Sequence, residues 1–185
     1  AVTAFTGEML RESGVRDMFE LSAIAPSLTV DQTQTSSNTS FGIRGIFTSS
    51  QNFGLESSVG LYVDGVYRSR QGSMINNMVD IASVEVLRGP QGTLFGRNTE
   101  GGAINFITRR PSGDFSGSAK VEAGNFDRRV GRLQVDLPQM GMMSASFGVR
   151  KERADGWAKN LTGPDMGSVD NEAFRASLMF EPSDR

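Results

Sequence analysis

Hydrophobic and polar positions along the chain fall into two textures, with the change near residue 115. Before it, apolar stretches are short and interrupted. Residues 2–5 form a β-prone run closed by Thr6, an N-cap type, ahead of a short helix over 8–12 that Gly14 ends. After Asp17, the residues Met18, Leu21 and Ile24 recur at helical spacing, and Pro26 stops that second helix. Residues 28–30 read as strand, the polar run 33–40 as loop, and 41–46 as a strand that carries Arg44 between apolar neighbours. Residues 59–67 alternate around Asp64-Gly65, a pair suited to a type I′ hairpin turn because both central residues take positive φ. A polar stretch covers 68–77, a helical turn is expected over 78–82, and a strand over 83–87 ends at Arg88-Gly89-Pro90. Gly92, Gly96, Gly101 and Gly102 then make the most irregular stretch, expected to need positive φ or close backbone approach, before a strand over 103–108.

From Phe115 the alternation becomes long and clean. Phe115, Gly117, Ala119, Val121 and Ala123 share one side, against Ser116, Ser118, Lys120 and Glu122 on the other. The same division separates Gly131, Leu133, Val135 and Leu137 from Arg132, Gln134 and Asp136. It separates Met143, Ala145, Phe147 and Val149 from Ser144, Ser146 and Arg150, and Phe174, Ala176, Leu178 and Phe180 from Arg175 and Ser177. Four strands of about ten residues match the length a tilted strand needs to cross a bilayer. The connections at 125–127 and 138–141 are short and the one at 153–171 is long, which predicts short turns on one side of a barrel and longer loops on the other. A soluble β-meander with one wet face gives the same alternation for any single strand.

Composition narrows the chemistry. Among 185 residues there is no His and no Cys, so Ser-His-Asp or Cys-His nucleophiles, ordinary zinc or copper sites and disulfides are excluded. A formal charge of -2 supplies none of the positive field that nucleic acid requires. The hydrophobic share of 37% is low for a self-contained core, and no run nears the 18 apolar residues of a membrane-spanning helix, which leaves a barrel open. No signal peptide is read at residues 1–5, where a basic region is lacking, and the start is expected to lie inside a longer chain.

The glycine stretch is not a phosphate loop. Gly96 and Gly101 have that spacing, but Gly102 stands where Lys is needed and Ala103 where Ser or Thr is needed. Asp64, Glu85 and Glu100 are not placed to converge at glycosidase separation, so no enzyme is expected. Arg44 and Arg88 each end a strand beside Gly with apolar residues on the approach, and each guanidinium is expected to be at least partly buried, which calls for a carboxylate partner.

The run 80–96 (DIASVEVLRGPQGTLFG) followed by 101–109 (GGAINFITR) closely resembles the plug domain of TonB-dependent outer-membrane receptors, and Ile43-Arg44-Gly45 and Tyr62-Val63-Asp64-Gly65-Val66 fit the same domain. The resemblance implies an α+β plug over 1–112, with a small mixed β-sheet and short helices, followed over 113–185 by about the first four antiparallel strands of a 22-stranded transmembrane barrel. Gly45, Asp64, Gly65, Gly89, Pro90, Gly92, Gly96, Gly101, Gly102 and Asn105 are the structural residues of the motif. It also implies a receptor in the outer membrane of a Gram-negative bacterium, whose plug gates uptake of a scarce substrate driven by the TonB–ExbB–ExbD complex. An iron–siderophore complex is the expected cargo on family frequency, with outer-membrane lipid as the other partner and no cofactor. The TonB box is expected before Ala1 and the remaining barrel strands after Arg185. Arg44 and Arg88 match plug arginines that pair with barrel glutamates, here expected on strands beyond this chain. Substrate contact is expected at 48–55, 68–74 and 97–100, where Phe53, Arg68, Arg70 and Asn98 offer aromatic, cationic and amide groups. A soluble β-rich binding or adhesion module is the competing reading.

Overall fold

A computed structural model describes residues 2–15, 17–32, 39–48, 55–69, 78–163 and 165–182. The chain forms two compact units, residues 1–109 and 110–185.

In the first unit β1 (Val2–Thr6) runs directly into α1 (Gly7–Glu12), and the Thr6 hydroxyl accepts from the Met9 amide at 3.2 Å, capping a helix whose first amides lack partners of their own. Asp17 does the same for α2 (Met18–Ile24), accepting from the Glu20 amide at 2.8 Å. The helical spacing of Met18 and Leu21 buries both side chains completely, with Ile24 packed beside them. Each full burial of this kind contributes about 1.5–3 kcal/mol. β2 (Leu28–Gln32), β3 (Thr39–Ile43) and β4 (Ile46–Phe47) form a three-stranded sheet in that order.

A second sheet has the order β1-β7-β8-β5-β6, with β5 (Val59–Val63), β6 (Val66–Tyr67), β7 (Ile81–Arg88) and β8 (Gly102–Thr108). β5 and β8 pair in parallel and the other neighbours antiparallel. Every residue of β5 is buried, as befits an inner strand covered on both faces. One face carries Phe5, Leu61, Val84, Val86, Ile104 and Phe106 into a core shared with Met18, Leu21, Phe41 and Ile43. The other face holds a smaller cluster of Tyr62, Leu87 and Ala103, with Tyr67 and Phe95 packed against it.

Four local expectations are corrected. Thr39 and Ser40 belong to β3, not to a loop, because Gln32 and Asp31 of β2 pair with their backbones. Arg44 does not lie within a strand: Arg44 (φ 55) and Gly45 (φ 78) are the two central residues of a turn between β3 and β4. Ile81 and Ala82 are strand, since Thr108 at the end of β8 gives Ile81 a partner and a bulge between Ile81 and Ser83 absorbs the misfit. The glycine stretch contains a four-residue helix, α3 (Gly92–Phe95). The Asp64-Gly65 hairpin is as expected, with φ of 50 and 78.

In the second unit β9 (Ser116–Gly124), β10 (Arg128–Asp136), β11 (Met143–Ala154) and β12 (Val169–Phe180) form an antiparallel sheet in chain order. Its register aligns the apolar positions across all four strands. Ala119 faces Leu133, Leu133 faces Val149, and Val149 faces Phe174. Gly117, Val135, Phe147 and Ala176 make the next row. The burial is inverted relative to a protein in water: Val121 is 84% exposed and Phe174 and Leu178 each 68%, while Asp136, Ser144, Ser146, Arg150 and Glu152 on the polar side are buried. On that polar side Arg128 bridges Glu122 (3.6 Å) and Glu152 (2.8 Å), Lys120 joins Glu122 (3.1 Å), and Arg150 joins Glu152. The expected division of loop lengths is corrected. The three-residue turn 125–127 and the long connection 155–168 lie at the same end, tied by the Asp155 amide donating to the Phe126 carbonyl at 2.7 Å, and 137–142 lies at the other. Among the described residues no helix is long and apolar enough to cross a membrane, which says nothing of strands.

Candidate functional site

β5 and β8 are parallel and start at the end of the sheet where antiparallel β7 finishes, as Val59 and Arg88 both pair with Gly102. The segments before β5 and between β7 and β8 therefore gather at that end. Backbone hydrogen bonds fix them there: Gly101 N–H to Ser58 carbonyl (2.9 Å), Gly89 N–H to Gly101 carbonyl (3.0 Å) and Gln91 N–H to Thr99 carbonyl (3.0 Å). The Thr48 hydroxyl accepts from the Ser58 amide at 2.9 Å, which brings the start of the 48–55 segment to the same place.

The loop 97–100 stands on an aromatic base. Tyr62 donates its hydroxyl to the Phe95 carbonyl at 2.6 Å, and its ring lies 4.7 Å from Phe95 and 5.6 Å from Tyr67. Burial, and secondarily the neighbouring Tyr67 phenol, pushes the Tyr62 phenol above its usual value, so it stays a donor at ordinary pH. Above this base Asn98, at φ 69, donates to Glu56 and to the Tyr67 hydroxyl (3.3 Å), and Arg97 pairs with Glu56 at 3.3 Å. Arg97 and Glu56 are 83% and 52% exposed, so their mutual attraction is small and both remain open to solvent and solutes.

Of the four expected contact residues, Asn98 lies in this cluster and exposed Arg68 directly follows Tyr67, while Phe53 and Arg70 lie outside the described residues. Glu56 and Tyr67 were missed. Glu56 is the sole acid between Asp31 and Asp64, a signal that has force only once the parallel pairing of β5 with β8 sets it beside Arg97.

Arg44, Gly89, Gly101 and Gly102 meet in one corner. A Cβ on Gly101 would stand 3.2 Å from Ile46, and one on Gly89 would stand 3.7 Å from Arg44 Nη1. Gly102, at φ +148, leaves no room at all, since a Cβ there would lie 2.2 Å from the Leu87 carbonyl oxygen. Arg88 is half-buried as expected and donates from Nη2 to the Thr3 hydroxyl of β1. Arg44 is exposed within this chain, against expectation, because it sits at the tip of a turn instead of a strand end.

Other motif residues are structural in plain view. The Asp64 carboxylate accepts from the Thr108 amide (2.8 Å) and hydroxyl (2.7 Å), clamping the hairpin turn to the end of β8. Asn105 donates to Glu85 at 3.1 Å on the face opposite Arg88. Gly96 takes positive φ, Gly92 does not and opens α3, and exposed Pro90 follows the end of β7. Among the described residues no group of three or more Asp or Glu is placed to hold a metal ion.

Comparison with known proteins gives these observations a context. The family model of the TonB-dependent Receptor Plug Domain matches residues 1–103. The pesticin receptor of Yersinia pestis is 32% identical over 179 residues, covering 95% of this chain and 25% of that protein, so the chain spans a quarter of the length of this relative. The catecholate siderophore receptor Fiu of Escherichia coli K12 is 34% identical over 83 residues, 45% of this chain and 11% of its own. The crystal structure of the ferric yersiniabactin uptake receptor FyuA from Yersinia pestis superposes with a TM-score of 0.85 at 29% identity, over 100% of this chain and 29% of that one. The pyoverdine outer membrane receptor FpvA of Pseudomonas aeruginosa shares the fold, with a TM-score of 0.77 at 21% identity over 98% of this chain and 25% of its own. The chain therefore belongs to the TonB-dependent receptors, a family of transport proteins and not of enzymes, and carries their plug domain.

Proposed function

We propose that the chain is part of a receptor in the outer membrane of a Gram-negative bacterium, with residues 1–112 as the plug and 113–185 as the opening strands of the barrel wall. The plug gates active uptake of a scarce small molecule, an iron–siderophore complex, and the TonB–ExbB–ExbD complex supplies the work by pulling on the N-terminal side of the plug. The observation that carries this reading is the inverted sheet of β9 to β12, exposed on its apolar side and buried on its polar side, attached in sequence to a plug fold. A soluble binding or adhesion module would not leave Val121, Leu133, Phe174 and Leu178 on one exposed face. The cargo class follows the relatives, whose names concern ferric yersiniabactin, catecholate siderophores and pyoverdine.

Substrate contact is assigned to the end of the plug that holds Arg68, Arg97, Asn98, Glu56 and Tyr67, together with Phe53 and Arg70 of the adjoining segments. The exposed Arg97–Glu56 pair can exchange partners with an anionic chelate at little cost. Arg44 and Arg88 latch the plug in the intact receptor through carboxylates on barrel strands beyond this chain. Titration of the purified intact receptor with ferric catecholate, hydroxamate and phenolate chelates tests the assignment. Saturable binding of at least one, weakened tenfold or more when Arg68 and Arg70 are both replaced by Ala, is expected. Unchanged affinity in that variant removes these arginines from the site, and binding of none of the chelates removes the iron reading.

A further inference from the structure

We propose that Arg88 is a bolt for the N-terminal strand of the plug: by holding Thr3 it keeps β1 on the sheet, and β1 is the element that leaves first when the chain is drawn from its N-terminal side. The second clause rests on the uptake reading above; the first stands on the plug's own geometry.

Among the described residues β1 is an edge strand with a single neighbour, and its five residues pair with β7, from Val2 against Leu87 to Thr6 against Ser83. An edge strand is released by losing one ladder, whereas β7, β8 and β5 each have two. The two ends of β1 are held differently. At the C-terminal end Phe5 is buried in the main core and Thr6 caps α1. Gly7 lies so close to β7 that a Cβ would stand 2.7 Å from the Ile81 carbonyl oxygen. At the N-terminal end Val2 is 60% exposed, and Phe5 is the sole buried residue of the strand.

Arg88 acts on the weak end. It lies two residues beyond Val86, the ladder partner of Thr3, on the same face of the sheet, which is the diagonal cross-strand position a long side chain can reach. Its Nη2 donates to the Thr3 hydroxyl. A hydrogen bond with a charged donor in a half-buried setting is stronger than a neutral one and is lost as a unit when the strand frays. Fraying from Val2 must break this bond before it reaches Phe5. The bolt also stands beside the functional end of the plug, since the next residue, Gly89, donates to the Gly101 carbonyl at the base of the 97–100 loop.

Amide hydrogen exchange of the intact receptor, without substrate or TonB, tests the bolt. Thr3→Val removes the acceptor, keeps the β-branched shape, and leaves Arg88 and any carboxylate that faces it in place. Arg88→Met removes the donor, and Arg88→Lys restores a shorter one. The expected result is exchange at least tenfold faster at the slow amides of β1 in Thr3→Val and Arg88→Met, an intermediate rate in Arg88→Lys, and β5 and β8 within twofold of wild type. Unchanged β1 exchange in Thr3→Val overturns the proposal. So does acceleration of β1, β5 and β8 together, which would make the pair a general support of the plug. Failure of the receptor to transport any chelate would refute the uptake reading and leave this result untouched.

Discussion

At the scale of single residues, the glycines of the motif divide by what surrounds them. Gly102→Ala forces a Cβ into the Leu87 carbonyl at a φ that side chains rarely adopt, and should destabilise the plug by about 2–4 kcal/mol. Gly92→Ala meets nothing within 4 Å at a helical position and should stay within about 0.5 kcal/mol of wild type. Pulse proteolysis of the plug in urea reads both, and equal effects would refute the close-packing explanation. Tyr62 allows a test with a sign. Tyr62→Phe loses the bond to the Phe95 carbonyl, worth about 1 kcal/mol below pH 10. The folded state holds the Tyr62 proton more tightly than the unfolded chain, whose phenol ionises near 10.0, so the wild type loses stability as pH rises through and above that value. Its advantage over Tyr62→Phe should therefore shrink above pH 10. An advantage that grows there would contradict a buried, protonated Tyr62.

Elements were legible where local chemistry decides them. Thr6 and Asp17 cap helices because their side chains bond amides three residues on, and Asp64-Gly65 turns because both residues tolerate positive φ. The alternation after Phe115 specified four strands and their faces, since a slip of one residue would invert every side chain. What escaped depends on pairing between strands: Thr39 and Ser40 became strand because Gln32 and Asp31 of β2 take them as partners, and Ile81 and Ala82 because the distant end of β8 does. Glu56 and Tyr67 joined the candidate site for the same reason, and the position of Arg44 was misread because a two-residue turn hid inside an apolar run. The faces of β10 can be tested in the intact receptor. Nitroxides at 133 and 135 should be relaxed by oxygen dissolved in lipid, and those at 132 and 134 by a polar reagent; the reverse would turn the sheet over. Phe147→Arg should cost about 2–4 kcal/mol of barrel stability.

For the molecule as a whole, the plug coheres through its own core and the strand sheet coheres through its ladders, so in the proposed receptor plug retention and barrel formation should be separable. Under the proposed latch, Arg44→Ala with Arg88→Ala should loosen the plug by several kcal/mol, because a carboxylate left buried and unpaired is costly, while insertion of the barrel is unchanged. Protease access to the plug in inserted receptor reads the first, and heat-modifiable migration of the folded barrel the second. The most direct measurement is uptake of iron-55 as its ferric chelates by iron-starved cells in which the intact receptor is the sole route, compared with the same cells lacking TonB. Saturable accumulation of a chelate that ceases without TonB, while binding at the cell surface persists, is the expected result. Accumulation that continues without TonB, or none with it, would contradict a plug that gates energised uptake.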